Sequence, residues 1–146
     1  MTTREKLTDR GFKLLNVLHH AVLRVSAGRV GSRAFGMDAV ELSCVGRRSG
    51  LTRTTMLTVP VTYGDAMVLV ASKGGDDRFP DWYLNIEANP EIEIRRRGAT
   101  LLMRARVASP EESHELWPKV IGVYGPYASY RRRAKREIPL VICEPR

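Results

Sequence analysis

Residues 53–72 read RTTMLTVPVTYGDAMVLVAS, and this stretch decides the type of fold. Its first half is rich in β-branched residues, which favours a strand, and Pro60 interrupts that strand because proline cannot donate a ladder hydrogen bond. Gly64 and Asp65 then supply a turn, and the second half is apolar throughout, as expected of a strand covered on both faces. The stretch therefore predicts a β-hairpin with a bulge or an edge position at Pro60.

The flanking sequence repeats the strand pattern and adds helices late in the chain. Further strands are predicted for AVELSCV (39–45), EIEIRR (91–96), TLLMRARV (100–107) and IPLVICEP (138–145). Helices are predicted for FPDWYLNIEAN (79–89), for the segment after the N-cap residue Ser109, and for a short piece around Tyr127. About six hairpin-connected strands without a βαβ rhythm predict a mainly β fold with helices (α+β), in the form of a small antiparallel barrel.

The first thirty residues predict an amphipathic helix. Apolar residues recur there at spacings of three and four, namely Leu14, Leu18, Ala21, Val22 and Val25. The pattern fits either a helix that caps the core or one that lies in a lipid interface. Residues 27–38, AGRVGSRAFGMD, contain several glycines and are predicted to be a loop.

The charge indicates an anionic partner. The 146 residues carry a net charge of +8 and 43% hydrophobic residues, with arginine runs at 47–48, 95–97 and 131–133. Such an excess suits nucleic acid, an anionic lipid surface or an anionic small molecule. Because no long basic tail or aromatic RNA-binding motif accompanies the runs, nucleic acid is the least favoured of the three. No secretory signal and no apolar run of roughly 20 residues is present, which predicts a cytoplasmic protein and leaves membrane contact open.

The sequence shows no familiar catalytic or metal-binding motif. Cys44 and Cys143 lie in apolar segments and are predicted to be buried thiols, and the three histidines have no ligand cluster around them. No GxSxG, Walker or GxGxxG motif is found. The predictions are therefore no metal site and no nucleophilic triad.

Three other segments suit a ligand. The turn VGRRSGLTRTT (45–55) combines glycines with guanidinium groups, which bind phosphate and carboxylate bidentately, although a solvated surface turn has the same composition. In SKGGDDRFPDWYLN (72–85), Trp82 either stacks on a flat ring whose edge Asn85 hydrogen-bonds, or plugs the core. The segment YGPYASY (124–130) is either an aromatic pocket wall or a packed surface loop. Together the three predict a site for a flat aromatic ligand with a long anionic tail.

These segments resemble the deazaflavin (coenzyme F420)-dependent nitroreductase family of actinobacteria. The resemblance rests on GRRSGLTRT, VASKGGDDRFPDWYLNIEANPEIEI, the pair Trp117-Pro118, YGPYASY and IPLVICEP, in the family's order. It implies a flavin-reductase-like split β-barrel as one domain over 1–146, with the N-terminal helix in 1–30 and the cofactor-binding barrel in 38–146. It also implies coenzyme F420, in its reduced form F420H2, as the cofactor.

The resemblance implies roles for individual residues. The cofactor-binding set that it implies comprises Arg47, Arg48, Ser49, Arg53, Thr54, Thr55, Met56, Leu57, Thr58, Val70, Ala71, Ser72, Lys73, Asp81, Trp82, Tyr83, Leu84, Asn85 and Tyr127. The candidate catalytic residues are Tyr127, Tyr130 and Ser72, in that order of preference as proton donors. The implied reaction is hydride transfer from C5 of the deazaflavin to an electrophilic acceptor such as an enone, a quinone or a nitro compound.

Departures from the family pattern narrow these expectations. The strand after Arg53 lacks the proline and aromatic positions of nitroimidazole-activating relatives, so Thr58 and Val59 predict a differently shaped pocket. The other functions considered are a non-catalytic deazaflavin carrier, an FMN- or haem-binding relative on the same barrel, and a basic membrane-surface or nucleic-acid module. The chain offers no decisive interface, although split barrels of this kind often form homodimers.

Overall fold

Alternating and β-branched segments form eight strands in the structure, a computed structural model that describes residues 33–146 with the exception of the side chain at position 63. The strands are β1 (Arg33–Ala34), β2 (Met37–Val45), β3 (Thr52–Val59), β4 (Val61–Tyr63), β5 (Ala66–Val70), β6 (Glu91–Arg96), β7 (Ala99–Val107) and β8 (Leu140–Pro145). The helices are α1 (Asp81–Ala88), α2 (Pro110–Val123) and α3 (Pro126–Arg133). The predicted N-terminal helix lies outside the described residues.

The strands form one sheet that Pro60 closes into a split barrel. Neighbouring strands follow the order β1-β2-β6-β7-β8-β5-β4, and β3 pairs with β2 over the register Asp38↔Val59 to Val45↔Thr52. Because Pro60 alone separates β3 from β4, the chain passes there from pairing with β2 to pairing with β5. The predicted interruption is thus the point where the strand changes partners, and the predicted α+β split barrel is confirmed.

The hairpin at residues 53–72 is confirmed in its second half. Val61 to Tyr63 pair with Ala66 to Val68 across the Gly64-Asp65 turn, where Gly64 has a φ of 58° that suits glycine. β5 is buried along its whole length, as predicted for a strand covered on both faces. One apolar layer fills the barrel and includes Leu42, Leu69 and Ile94. A second layer lies on the outer face of β5 and β8, where Trp117 and Val120 of α2 cover it.

The predicted loop at residues 27–38 is wrong for the part that the structure describes. Arg33 pairs with Asp38 and Ala34 with Met37 in a tight hairpin. Its two turn residues, Phe35 and Gly36, have φ values of 54° and 77°, as a two-residue hairpin turn requires. Left-handed backbone at phenylalanine is uncommon, which is why the composition did not indicate a hairpin.

The predicted N-cap of α2 is confirmed, and α1 begins at Asp81, two residues later than predicted. The Ser109 hydroxyl accepts a hydrogen bond from the amide of Glu112, whose carboxylate accepts one from the amide of Ser109, so a capping box opens α2. Pro80 precedes α1, and Asn89 ends it before Pro90. Within residues 33–146, no helix is both long and apolar enough to cross a membrane.

Candidate active site

The β2–β3 turn holds its shape through its own backbone and through Ser49. The amide of Gly46 donates to the carbonyl of Leu51 at 2.8 Å, and that of Gly50 donates to the carbonyl of Gly46 at 2.9 Å. Ser49 Oγ accepts from the Leu51 amide at 3.2 Å and from Arg53 Nη2 at 3.3 Å. The exposed guanidinium groups of Arg48 and Arg53 therefore project from a defined turn.

Arg47 points from the same turn to the start of α1. Its backbone amide and its Nη1 both donate to Asn85 Oδ1, at 3.1 and 2.9 Å. Its Nη2 lies 3.4 Å from the exposed carboxylate of Asp81. Asn85 is only 5% exposed, and its Nδ2 lies 3.8 Å from the Cys44 sulfur. The amide of Asn85 is therefore already engaged by the protein, where the sequence interpretation had it bind the edge of a ligand ring.

The end of β5 leads into a tight turn that packs against α3. Lys73, Gly74 and Gly75 all have positive φ, and a short 3₁₀ turn spans Lys73–Gly75. A Cβ added at Gly75 would lie 3.0 Å from the Cα of Tyr130, so only glycine permits this approach. Arg133 Nη1 donates to the carbonyl of Gly74 at 3.0 Å. Glycine thus brings Ser72 and Lys73 next to the helix that carries the tyrosines.

The tyrosines form a row of edge-to-face rings. The ring centroids of Tyr124 and Tyr127 are 5.1 Å apart, and those of Tyr127 and Tyr130 are 5.8 Å apart. Burial raises the pKa of Tyr127, and the hydrogen bond between its hydroxyl and Thr58 Oγ1, 3.1 Å long, opposes that rise. Burial, together with a hydrogen bond to Tyr124, raises the pKa of Tyr130 to about 12. Both phenols therefore remain protonated at neutral pH.

These elements surround one cleft of about 860 Å³, within the size range of small-molecule sites. It brings together most of the predicted site residues: Arg47, Arg48, Ser49, Arg53, Thr54, Thr55, Met56, Leu57, Thr58, Val70, Ser72, Lys73, Asp81, Trp82, Asn85, Tyr127 and Tyr130. Trp82 is buried in the barrel and also lines the cleft, so the two interpretations of this residue are compatible.

Three predicted cofactor-binding residues do not line the cleft. Ala71 is fully buried in the barrel core, and Leu84 packs against the same core. The ring of Tyr83 stacks on Phe79 at a centroid distance of 5.1 Å and also belongs to the barrel core. Each of these residues is the chain neighbour of a lining residue, and their side chains point elsewhere because successive positions face different directions.

Other lining residues were not in the predicted site set, although Gly46, Gly74, Pro80 and Tyr124 lie in segments that the sequence analysis assigned to a ligand. They are Ala34, Phe35, Met37, Cys44, Gly46, Gly74, Pro80 and Tyr124. Phe35 and Met37 belong to the β1–β2 hairpin that was predicted to be a loop. The ring of Phe35 lies 5.6 Å from that of Tyr124 and extends the aromatic row. Tyr124 was recognisable from its place in YGPYASY.

The other two arginine runs serve the fold. Arg96 and Arg97 bind the carboxylate of Asp38, and Arg33 binds it at 2.9 Å. Burial alone would raise the pKa of Asp38, but Arg96 and Arg97 outweigh it and hold the pKa below its usual value. In the third run, the guanidinium of Arg131 lies 4.3 Å from the Trp117 ring centroid. Within residues 33–146, no group of three metal-ligating side chains comes together.

Fold and cleft together define a class of protein: a split-barrel protein with a cationic and aromatic cleft. Residues 16–145 match the model of the F420H2-dependent quinone reductase family. An F420H2-dependent quinone reductase of Mycobacterium tuberculosis is 38% identical over 143 residues, covering 90% of each chain. The chain belongs to the F420H2-dependent quinone reductase family, and the cofactor is coenzyme F420 in its reduced form.

Solved structures agree with this assignment. The structure of an F420H2-dependent reductase superposes with a TM-score of 0.65 at 34% identity, covering 73% of this chain and 93% of the other. A second structure, described as a domain-swapped dimer, superposes with a TM-score of 0.68 at 27% identity, covering 98% of this chain and all of the other. The first of these confirms the family resemblance found in the sequence.

The residues of the cleft fit the cofactor. Coenzyme F420 combines a flat deazaflavin ring with a phosphodiester and several carboxylates. The exposed guanidinium groups of Arg48 and Arg53 can bind the anionic groups of the cofactor. Apolar side chains of the cleft wall, such as Trp82 and Met56, can pack against its ring. The family fixes the class of enzyme as an F420H2-dependent oxidoreductase.

Proposed function

We propose that this protein reduces a quinone by hydride transfer from F420H2, and that small enones and nitro compounds are further acceptors. The observation that supports this proposal is the single cleft lined by the cationic β2–β3 turn and by the tyrosines of α3. When bound, reduced F420 supplies a hydride from C5 to an electrophilic carbon of the acceptor. The protein's own groups bind and orient the cofactor and the acceptor, and they supply a proton.

The anionic tail is assigned to the β2–β3 turn. Arg48 and Arg53 present exposed guanidinium groups, and Ser49 holds Arg53 in place at 3.3 Å. Lys73, at the end of β5, adds a further cation on the cleft wall. Arg47 contributes more through the position of its backbone than through its guanidinium group, because Asn85 and Asp81 already bind that group.

The deazaflavin ring is assigned to the wall made by β3, the end of β5 and α1. Thr54, Thr55, Met56, Leu57 and Thr58 follow one another along β3, Val70 ends β5, and Ser72 lies two residues beyond it. Trp82 projects from α1 into the same cleft. This wall combines apolar area with a few hydroxyl groups, which is the composition of sites that orient a flat ring.

Tyr127 is the first choice for the proton donor. Its hydroxyl is protonated at neutral pH, because burial raises its pKa, and Thr58 fixes its direction at 3.1 Å. Tyr130 and Ser72 are the second and third choices, and both line the cleft. A phenol held in one orientation is a suitable general acid for an acceptor oxygen that gains negative charge.

The acceptor is expected to be small. Val59 and Pro60 are buried, so the end of β3 does not open a wide subsite. Thr58 is bound to Tyr127 rather than free for a substrate. We therefore favour compact quinones and enones over bulky nitroimidazoles.

Assembly and location stay predictions. The domain-swapped structural neighbour supports a homodimer, which size-exclusion chromatography with light scattering tests directly. A cytoplasmic location and contact of residues 1–30 with membranes are proposed from the sequence alone. Sedimentation with anionic vesicles, comparing the full chain with one that lacks these residues, tests the second point.

The decisive experiment mixes the purified protein with F420H2 and menadione, with cyclohexenone and a nitro compound in parallel reactions. Reoxidation of the cofactor is monitored by the return of its absorbance and fluorescence. It is expected to be fastest with the quinone. Tight binding of F420 without reoxidation by any acceptor would overturn the reductase proposal in favour of a carrier protein. Absence of binding would overturn the assignment of the cleft.

A further inference from the structure

Arg136 binds an unusual number of backbone carbonyls from one loop. It lies in the segment between α3 and β8, and its side chain is half-buried. Its Nη2 donates to the carbonyls of Ala71, Ser72 and Arg78, at 3.1, 3.2 and 3.0 Å. Its Nε donates to the carbonyl of Asp76 at 3.2 Å, and its Nη1 to that of Glu137 at 3.2 Å. Four of the five acceptors belong to residues 71–78.

That loop needs such a partner because of its backbone. Three consecutive residues, from Lys73 to Gly75, have left-handed φ values, and carbonyls on both sides of them accept hydrogen bonds from Arg136. Buried carbonyls without a donor are costly, and the flat fork of a guanidinium can serve several of them at once. A lysine ammonium in the same place is a single point charge and cannot reach carbonyls spread across a plane.

The same side chain also reaches the start of α1. Its guanidinium carbon lies 4.6 Å from the ring centroid of Phe79, and that ring stacks on Tyr83 of α1. Arg136 therefore joins three parts of the molecule: the end of β5 with Ser72 and Lys73, the helix with Trp82, and the segment that follows the tyrosine helix. The first two carry residues that line the cleft, and the third directly follows the helix that carries Tyr127 and Tyr130.

We propose that Arg136 is a positioning residue for the cofactor, which holds the loop of residues 71–78 in the conformation that presents Ser72 and Lys73 to the cleft. Arg136 itself does not line the cleft. The proposal rests on the proposed function for its effect on F420 binding. Its effect on the loop does not depend on that function.

The loop is tested first, without cofactor. Amide hydrogen exchange of residues 73–78 is compared between the wild-type protein, Arg136→Ala and Arg136→Lys. Because the amides of Gly75 and Asp76 bond within the loop, we expect roughly tenfold or greater loss of their protection in both variants, with α2 unchanged. Arg132→Ala removes the same charge from an exposed side chain bonded to Ser129 and is the matched control.

Chemical rescue with free guanidinium distinguishes a positioning role of Arg136 from a contribution to general stability. Free guanidinium at low millimolar concentration, far below denaturing levels, is expected to restore protection in Arg136→Ala, whereas methylammonium is not. In fluorescence titrations the Kd for F420 is expected to rise about tenfold in both variants and to return with guanidinium. In turnover assays, KM for F420H2 is expected to rise while KM for the quinone stays the same.

The outcomes are distinguishable. Wild-type exchange in the loop of Arg136→Lys, or of a folded Arg136→Ala, would overturn the positioning role, as would failure of guanidinium to restore protection. If the wild-type protein does not bind F420 but the exchange results are as expected, the proposed function fails and the assignment of Arg136 to the loop stands.

Discussion

The hydroxyl of Tyr127 on α3 lies 3.1 Å from Oγ1 of Thr58 on β3. The two residues are 69 positions apart in the chain, and the contact joins the proposed cofactor wall to the proposed proton donor. Either oxygen can donate in this hydrogen bond. When Thr58 donates, it stabilises the phenolate, which is why the contact lowers the pKa of Tyr127 against the rise caused by burial.

Replacing Tyr127 with phenylalanine tests its role directly. Turnover is expected to fall about 100-fold, because a positioned general acid contributes on that scale, while the Kd for F420 stays within about twofold. Steady-state kinetics and fluorescence titration measure the two quantities. Tyr83→Phe removes the same hydroxyl from a residue outside the cleft and is expected to leave turnover unchanged. Unchanged turnover in Tyr127→Phe would remove this residue from the reaction.

Thr58→Val should shift the pH dependence. Valine keeps the shape of threonine and removes the hydrogen bond that lowers the pKa of Tyr127, so that pKa is expected to rise further. The alkaline limb of the turnover profile, where the phenol loses its proton, then moves to higher pH. Thr62→Val, on the exposed part of β4, serves as the control. A shift towards lower pH would contradict the assignment of this limb to Tyr127.

Asn85→Leu is expected to weaken cofactor binding indirectly, through the β2–β3 turn that Asn85 holds. The change removes the oxygen that accepts two hydrogen bonds from Arg47, at 3.1 and 2.9 Å, and leaves the longer contact of Arg47 with Asp81 to join the β2–β3 turn to α1. We expect the Kd for F420 to rise about tenfold, since a hydrogen bond to a charged group contributes about 1.5–3 kcal/mol. In a double-mutant cycle with Arg47→Met, the effects should be clearly less than additive. Full additivity would show that the two residues act independently.

Gly75→Ala tests the close approach of the turn to α3. A new Cβ would meet the Cα of Tyr130 at 3.0 Å and its carbonyl oxygen at 3.2 Å, on a backbone with a φ of 82°. Gly64→Ala has a similar backbone, at 58°, with open space around it. We expect about 1 kcal/mol of destabilisation for Gly64→Ala and at least about 1 kcal/mol more for Gly75→Ala. Urea unfolding measures both, and equal losses would contradict the contact.

Glu112→Gln tests an ion pair at the start of α2. Hydrogen bonds from Arg106, at 2.7 and 2.9 Å, lower the pKa of Glu112 from 4.5 to about 2. Since the folded pKa is depressed, the stabilisation is fully present above about pH 4.5 and is lost as the pH falls towards 2. The stability difference from wild type should therefore shrink over that window, and added salt should reduce it at neutral pH because the pair is exposed. Glu115→Gln is the control.

Local patterns predicted most of the secondary structure. Alternation in EIEIRR and the N-cap at Ser109 each depend on neighbouring residues, and the structure confirms both of them. The β1–β2 hairpin escaped prediction because Phe35 adopts a left-handed backbone that its residue type disfavours. The tight hairpin around it imposes this conformation.

The candidate site was predictable in composition and only partly in geometry. The basic turn, the SKGG turn and the tyrosines all line one cleft, as their residue types suggested. Asn85, by contrast, binds Arg47 rather than facing outward for a ligand, and Tyr83 points away from the cleft. These directions follow from packing across the barrel, which a linear pattern does not encode.

The sequence by itself determined the class of fold and the chemical character of the site, because strand alternation, glycine turns and charge are properties of short segments. Its motifs also carried the resemblance to the family. Only the tertiary structure decided which arginines line the cleft and which bind other parts of the fold. Arg96 donates a hydrogen bond to Asp38, which is 58 positions away in the chain, and Arg136 donates one to Ala71, which is 65 positions away. Such partners are set by strand register and by the passage of the chain at Pro60, so they exist only once the barrel has closed.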